Sequence, residues 1–85
     1  MQTFMYTIKV PVGLHARHAA IIVKAAKEFE STITVSFEDK TADARRILGL
    51  MGLGIKQGDL IRVTVEGPDE YDAAVSMKNV FWNNF

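Results

Sequence analysis

Between Pro11 and Ala20 the chain changes its period. Before this point Phe4, Tyr6, Ile8 and Val10 alternate with Thr3, Met5, Thr7 and Lys9, a period of two that predicts a half-buried strand. After it Ala19, Ile22, Val23, Ala26 and Phe29 recur at helical spacing, with Lys24, Lys27 and Glu28 off that stripe. Pro11 and Gly13 end the strand, so a strand and a helix meet within a few residues. The junction, Gly13-Leu14-His15-Ala16-Arg17-His18, sets a histidine and an arginine at the helix start. The first turn of a helix has backbone N–H groups without an internal partner, and its dipole favours negative charge. A histidine there can hold an anion, or become phosphorylated with the new charge already compensated.

The remaining chain reads as a scaffold for this corner. Ile33, Val35 and Phe37 alternate with Thr32, Thr34 and Ser36 and predict a second strand. Glu38-Asp39-Lys40 is a hairpin turn, with a short return strand over 41–44. Residues 45–53 predict a short helix that Gly49 and Gly52 weaken, each by about 1 kcal/mol relative to alanine. Such a helix cannot bury all of Ile47, Leu48, Leu50, Met51 and Leu53 in so small a protein, so some of them are expected to face outward. Gly54 and Gly58-Asp59 are breakers. Ile61, Val63 and Val65 then alternate with Leu60, Arg62, Thr64 and Glu66 as a fourth strand. Asp69 is a fitting N-cap, and Glu70 a favourable first-turn residue, for a last helix striped by Ala73, Ala74, Met77, Val80 and Phe81. The order β-α-β-β-α-β-α predicts an α+β fold, a two-layer sandwich with helices on one sheet face. The short hairpin makes at least part of the sheet antiparallel.

Length and charge bound the rest. The chain of 85 residues is expected to form one domain over 1–85 with a two-layer core. Ten basic and ten acidic residues cancel, which gives no argument for nucleic acid or membrane. Without cysteine, disulfides and thiolate metal sites are excluded. No basic region is followed by an apolar run at the start, and no apolar segment approaches membrane-spanning length. A soluble cytoplasmic protein is the expectation. No paired carboxylates, catalytic triad or nucleotide loop points to an independent enzyme, and no cofactor is called for.

From the residues alone, His15 has two readings: a helix-end histidine making a surface hydrogen bond, or a phosphoryl acceptor. Imidazole is nucleophilic near neutral pH, and a phosphoryl group on nitrogen is easily passed on. Arg17, two residues later, is either a solubilising charge or a charge-assisted contact to phosphoryl oxygens. His18 lies three residues from His15 on a neighbouring part of the same helical face. It is read first as a side chain pointing to solvent, and otherwise as a second imidazole that perturbs His15 or shares its ligand. His-x-x-His has metal-ligand spacing, but without a third ligand nearby no metal site is expected. Arg45 and Arg46 sit at a helix start, where cations are slightly unfavourable. They read either as a solvated basic patch or as contacts to acidic partners.

Gly13-Leu14-His15-Ala16-Arg17 resembles the active-site motif of the HPr family, the histidine-containing phosphocarriers of the bacterial phosphoenolpyruvate-dependent sugar phosphotransferase system. Ala44-Arg45-Arg46-Ile47-Leu48-Gly49-Leu50-Met51-Gly52-Leu53-Gly54 resembles that family's second helix at the expected spacing, and the resemblance runs to the end of the chain without an evident insertion. It implies a four-stranded antiparallel sheet with one face open and three helices on the other. It assigns the phosphoryl group to Nδ1 of His15, and the N–H groups of Ala16 and Arg17 and the Arg17 guanidinium are expected to face it; His18 joins them only on the reading in which it shares the ligand of His15. It implies enzyme I as the donor, IIA domains of sugar permeases as acceptors, and a monomer that serves enzymes as co-substrate.

Partners are then expected on a face formed by Arg17, Ala20, Ile21, Lys24, Ile47, Leu48 and Met51. The chain departs from the pattern at His18, where the family usually has proline, and at Arg46. In the Gram-positive branch the latter position is a serine phosphorylated by a dedicated kinase, a regulation that arginine cannot support. These departures motivate the alternative of a regulatory module that docks partners through the same face without relaying phosphate. The intact His15 favours the carrier.

Overall fold

The computed structural model describes residues 1–85. Strands β1 (Gln2–Thr7), β2 (Thr32–Phe37), β3 (Lys40–Asp43) and β4 (Leu60–Glu66) alternate with helices α1 (Ala16–Ala26), α2 (Ile47–Met51) and α3 (Glu70–Asn84) in the predicted order. The strands form one sheet, β1-β4-β2-β3, antiparallel throughout. Period-two patterning decides which face is covered. Phe4, Tyr6, Ile33, Val35, Ile61, Val63 and Val65 are buried, while Thr3, Met5, Thr7, Leu60 and Arg62 are exposed on the open face. Register sets Val63 opposite Phe4 on one side and Val35 on the other, so the apolar rows of neighbouring strands align.

Helices cover the apolar face. Ala19, Ile22, Val23 and Ala26 of α1 and Ala73, Ala74, Met77 and Phe81 of α3 enter a core of 23 buried apolar side chains. Leu14, Leu50, Leu53 and Ile55 complete it from the connections. The result is the open-faced α+β sandwich that the patterning and the resemblance predict. No helix is long and apolar enough to cross a membrane.

Several local expectations change. β1 stops at Thr7, yet Ile8 stays buried because its N–H donates to the Asp59 carbonyl at 2.9 Å and its carbonyl accepts from Gly58 at 2.8 Å. α1 ends at Ala26, so Phe29 packs half-buried from the turn beyond it. The second helix holds only Ile47–Met51; Arg45 and Arg46 precede it.

Arg45 is neither a solvated charge nor a free docking residue. Its guanidinium donates to the Phe29 carbonyl and, at 3.4 Å, to that of Ser31, tying the α2 approach to the end of the α1–β2 connection. Asp69 holds the N-cap position of α3 but does not cap it with its side chain. The carboxylate instead accepts from the N–H groups of Glu30 and Ser31, each at 2.9 Å, and from the Ser31 hydroxyl at 2.5 Å. These bonds hold its carboxyl below the usual range.

Candidate functional site

The corner between β1 and α1 is fixed from both sides. Gly13 adopts φ +74°, a left-handed conformation open to glycine at little cost. An added Cβ would stand 2.4 Å from the Ile55 carbonyl oxygen. The same carbonyl accepts from the Leu14 N–H at 3.2 Å, and Leu14 and Ile55 are both buried. The α2–β4 connection is thus stitched to the residues just before the helix. On the other side, the N–H groups of Lys9 and Val10 donate to the Phe85 carbonyl at 2.6 and 3.0 Å.

His15 is the N-cap of α1, with extended backbone (φ −93°, ψ −179°), and is exposed together with Ala16 and Arg17. First-turn N–H groups have no partner within their own helix, so those of Ala16 and Arg17 begin beside an exposed imidazole and a guanidinium. No acidic side chain stands in the first turn to compete for the positive end of the helix. His15, Ala16 and Arg17 border an open groove whose other walls are Pro11, Val12, Leu14, Met51, Gly54, Ile55, Lys56 and Gln57.

Met51 is therefore the one expected docking residue of α2 that shares this groove. Ile47 and Leu48 are exposed nearby in the chain; at 83% Leu48 is the most exposed large apolar side chain of the protein. Ala20 is exposed. Ile21 is half-buried against the core, and with Lys24 it borders a second depression between α1 and α3, beside Val80 and Asn84. Val12, Ile55, Lys56 and Gln57 are groove residues that the sequence did not single out. The Gly54 and Gly58 breakers marked their segment as a loop, but no local signal says that this loop returns to His15.

His18 is where the structure overturns the first expectation. The side chain does not point to solvent: it is 6% exposed, with its ring edge-on to Phe85 at 5.6 Å between centroids. Its Nδ1 accepts a hydrogen bond from the backbone N–H of His15 at 3.1 Å. A backbone N–H can only donate, so Nδ1 is unprotonated and the neutral ring carries its proton on Nε2. Burial, first, then the Arg17 guanidinium and the neighbouring His15 push the imidazole below its ordinary value. Three residues after the N-cap, His18 reaches back as Glu or Gln does in a capping box. No group of three or more His, Cys, Asp or Glu is placed to hold a metal ion.

Comparison with known proteins places the whole chain in a family. Residues 2–83 match the family model described as the PTS HPr component phosphorylation site. The chain is 45% identical over 73 residues to the phosphocarrier protein HPr of Lysinibacillus sphaericus, covering 86% of this chain and 83% of that one. Among solved structures, an HPr of Thermoanaerobacter tengcongensis superposes with a TM-score of 0.91 at 36% identity, covering 98% of this chain and 93% of that one. A structure of the HPr dimer from the same organism gives a TM-score of 0.77 at 36% identity, over 98% and 95% of the two chains. A four-stranded antiparallel sheet covered on one face by three helices is thus shared architecture, and the chain belongs to the HPr family of phosphocarrier proteins.

Proposed function

We propose that this protein is the phosphocarrier of a phosphoenolpyruvate-dependent sugar phosphotransferase system, with His15 as the acceptor. In the cytoplasm a phosphoryl group leaves enzyme I as its bond to Nδ1 of His15 forms. It then leaves His15 for a IIA domain of a sugar permease, restoring the free imidazole. The observation that carries this reading is the exposed His15 at the N-cap of an eleven-residue helix, next to first-turn N–H groups and Arg17. The protein's part is charge compensation and positioning rather than covalent chemistry beyond the imidazole itself. Ala16 and Arg17 offer backbone N–H groups to the phosphoryl oxygens, and the guanidinium adds a charge-assisted contact.

The surrounding surface suits a partner that must approach closely. Met51 shares the groove with His15, and exposed Ile47 and Leu48 are apolar side chains that gain by being covered. With Arg17, Ala20, Ile21 and Lys24 they make the docking face for enzyme I and the IIA domain. The protein works as a monomer and as co-substrate of those enzymes.

Intact-mass measurement after incubation with enzyme I, phosphoenolpyruvate and Mg²⁺ tests the reading. The expected result is an acid-labile gain of one phosphoryl group, mapped to His15 and absent from a folded His15→Ala variant. No gain with a competent enzyme I from the same source overturns the carrier role and leaves a docking module.

A further inference from the structure

The structure gives His18 a task that proline at this position could not perform. Proline has neither a side-chain acceptor nor an N–H; it would stiffen the turn but leave the His15 N–H, an orphan donor at the N-cap, to water. Here that N–H ends on His18 Nδ1 at 3.1 Å. The ring that accepts it is held in turn: it is buried, and Phe85 packs edge-on against it. The bond sits on the backbone of the residue whose ring does the chemistry, and it exists only while Nδ1 is free of a proton.

We propose that the neutral imidazole of His18 is a positioning residue for phosphoryl acceptance: through Nδ1 it fixes the His15 backbone, and a proton on Nδ1 releases that hold. The inference rests on the phosphocarrier reading of His15. Protonation turns the acceptor into a donor facing a donor, so the cap opens rather than weakens. The groups acting on this proton are few. From its own helix start they are Arg17 and His15, both of which disfavour the charged form, as burial does more strongly. The end of α3 presents the Phe85 ring, preceded by uncharged Asn83 and Asn84. From the loop before α1, Lys9 turns its ammonium toward the Tyr6 ring.

The test pairs a direct view of the cap with a rate. In wild-type protein, NMR follows the His18 ring nitrogens and the His15 amide through a pH titration. The amide is expected to shift and lose exchange protection with the His18 midpoint, which lies below that of an ordinary histidine. In His18→Gln the side-chain oxygen still accepts but cannot titrate, so the amide stays protected across the range. In His18→Leu the apolar packing on Phe85 is kept and the acceptor is gone.

Phosphorylation by phosphoramidate, which needs no protein partner, supplies the rate. The P–N bond to ammonia breaks as the bond to His15 forms. At a pH where His18 is neutral, His18→Leu is expected to react about fivefold more slowly, the size of one helix cap, and His18→Gln at close to the wild-type rate. A His15 amide indifferent to His18 protonation overturns the proposal, as does a His18→Leu protein that reacts like wild type. If wild type itself takes no phosphoryl group from phosphoramidate or enzyme I, the carrier reading has failed, and the amide titration still decides whether the cap exists.

Discussion

A single side chain carries the clearest pH dependence in this protein. His18 is buried neutral, and its folded-state value lies below the 6.5 of an exposed imidazole. The unfolded chain therefore takes up a proton that the native state resists, and stability declines as pH is lowered through that interval. The contribution is fully present above pH 6.5, the unfolded value, and is lost as pH falls through the folded one. Thermal unfolding midpoints from pH 7.5 downward are expected to drop across this window in wild type and to drop less in His18→Gln. Parallel curves for the two proteins would show that His18 titrates alike in both states. The sequence did not tell where this ring goes. Spacing set His18 one turn from His15, but the inward turn depends on a bond to a backbone N–H and on Phe85, which is 67 positions away in the chain. A capping-box reading of His-x-x-His was open in the sequence and would have found it.

Elements were legible to the degree that their signal is local. Strands β1, β2 and β4 follow from alternation, because burying one face of a sheet imposes period two directly, while β3 follows from the turn before it; α1 and α3 follow from their stripes. Ends were less legible. α2 starts two residues later than the predicted 45–53, with Arg45 recruited across the fold instead of entering the helix, and it stops at Met51, before Gly52. The candidate corner was legible in His15, Ala16 and Arg17, while Ile55, Lys56 and Gln57 reach the groove through a fold-level return. Arg45 yields a prediction at this scale. Removing its bonds to the Phe29 and Ser31 carbonyls in Arg45→Gln leaves part-buried acceptors unpaired, at a cost of about 1–2 kcal/mol. Arg46→Gln, at an exposed site, stays within about 0.5 kcal/mol. Urea titration of the two variants checks the contrast, and both are expected to be phosphorylated by phosphoramidate at the wild-type rate. Equal stability of the two would return Arg45 to the role of a surface charge.

Across the whole molecule, one row of aromatic rings runs from the sheet to the site. Phe81 is fully buried, edge-on to Phe4 at 6.0 Å, Tyr6 at 5.8 Å and Phe85 at 5.2 Å. Phe85 in turn meets His18, which holds His15. Packing in the core and order at the corner are thus two readouts of one structure, and Phe81→Ala separates them. Emptying that site is expected to cost about 3–5 kcal/mol, a large share of the 5–15 kcal/mol of a typical domain. At about 4–8 °C per kcal/mol for a chain of this size, the unfolding midpoint falls by tens of degrees. Below that midpoint, where the chain stays folded, a Phe85 ring that has lost its neighbour supports His18 less firmly. The His15 amide of Phe81→Ala is then expected to exchange faster relative to the β4 amides than it does in wild type. Loss of protection in equal proportion at both places would mean that the core stabilises the molecule without reaching the corner.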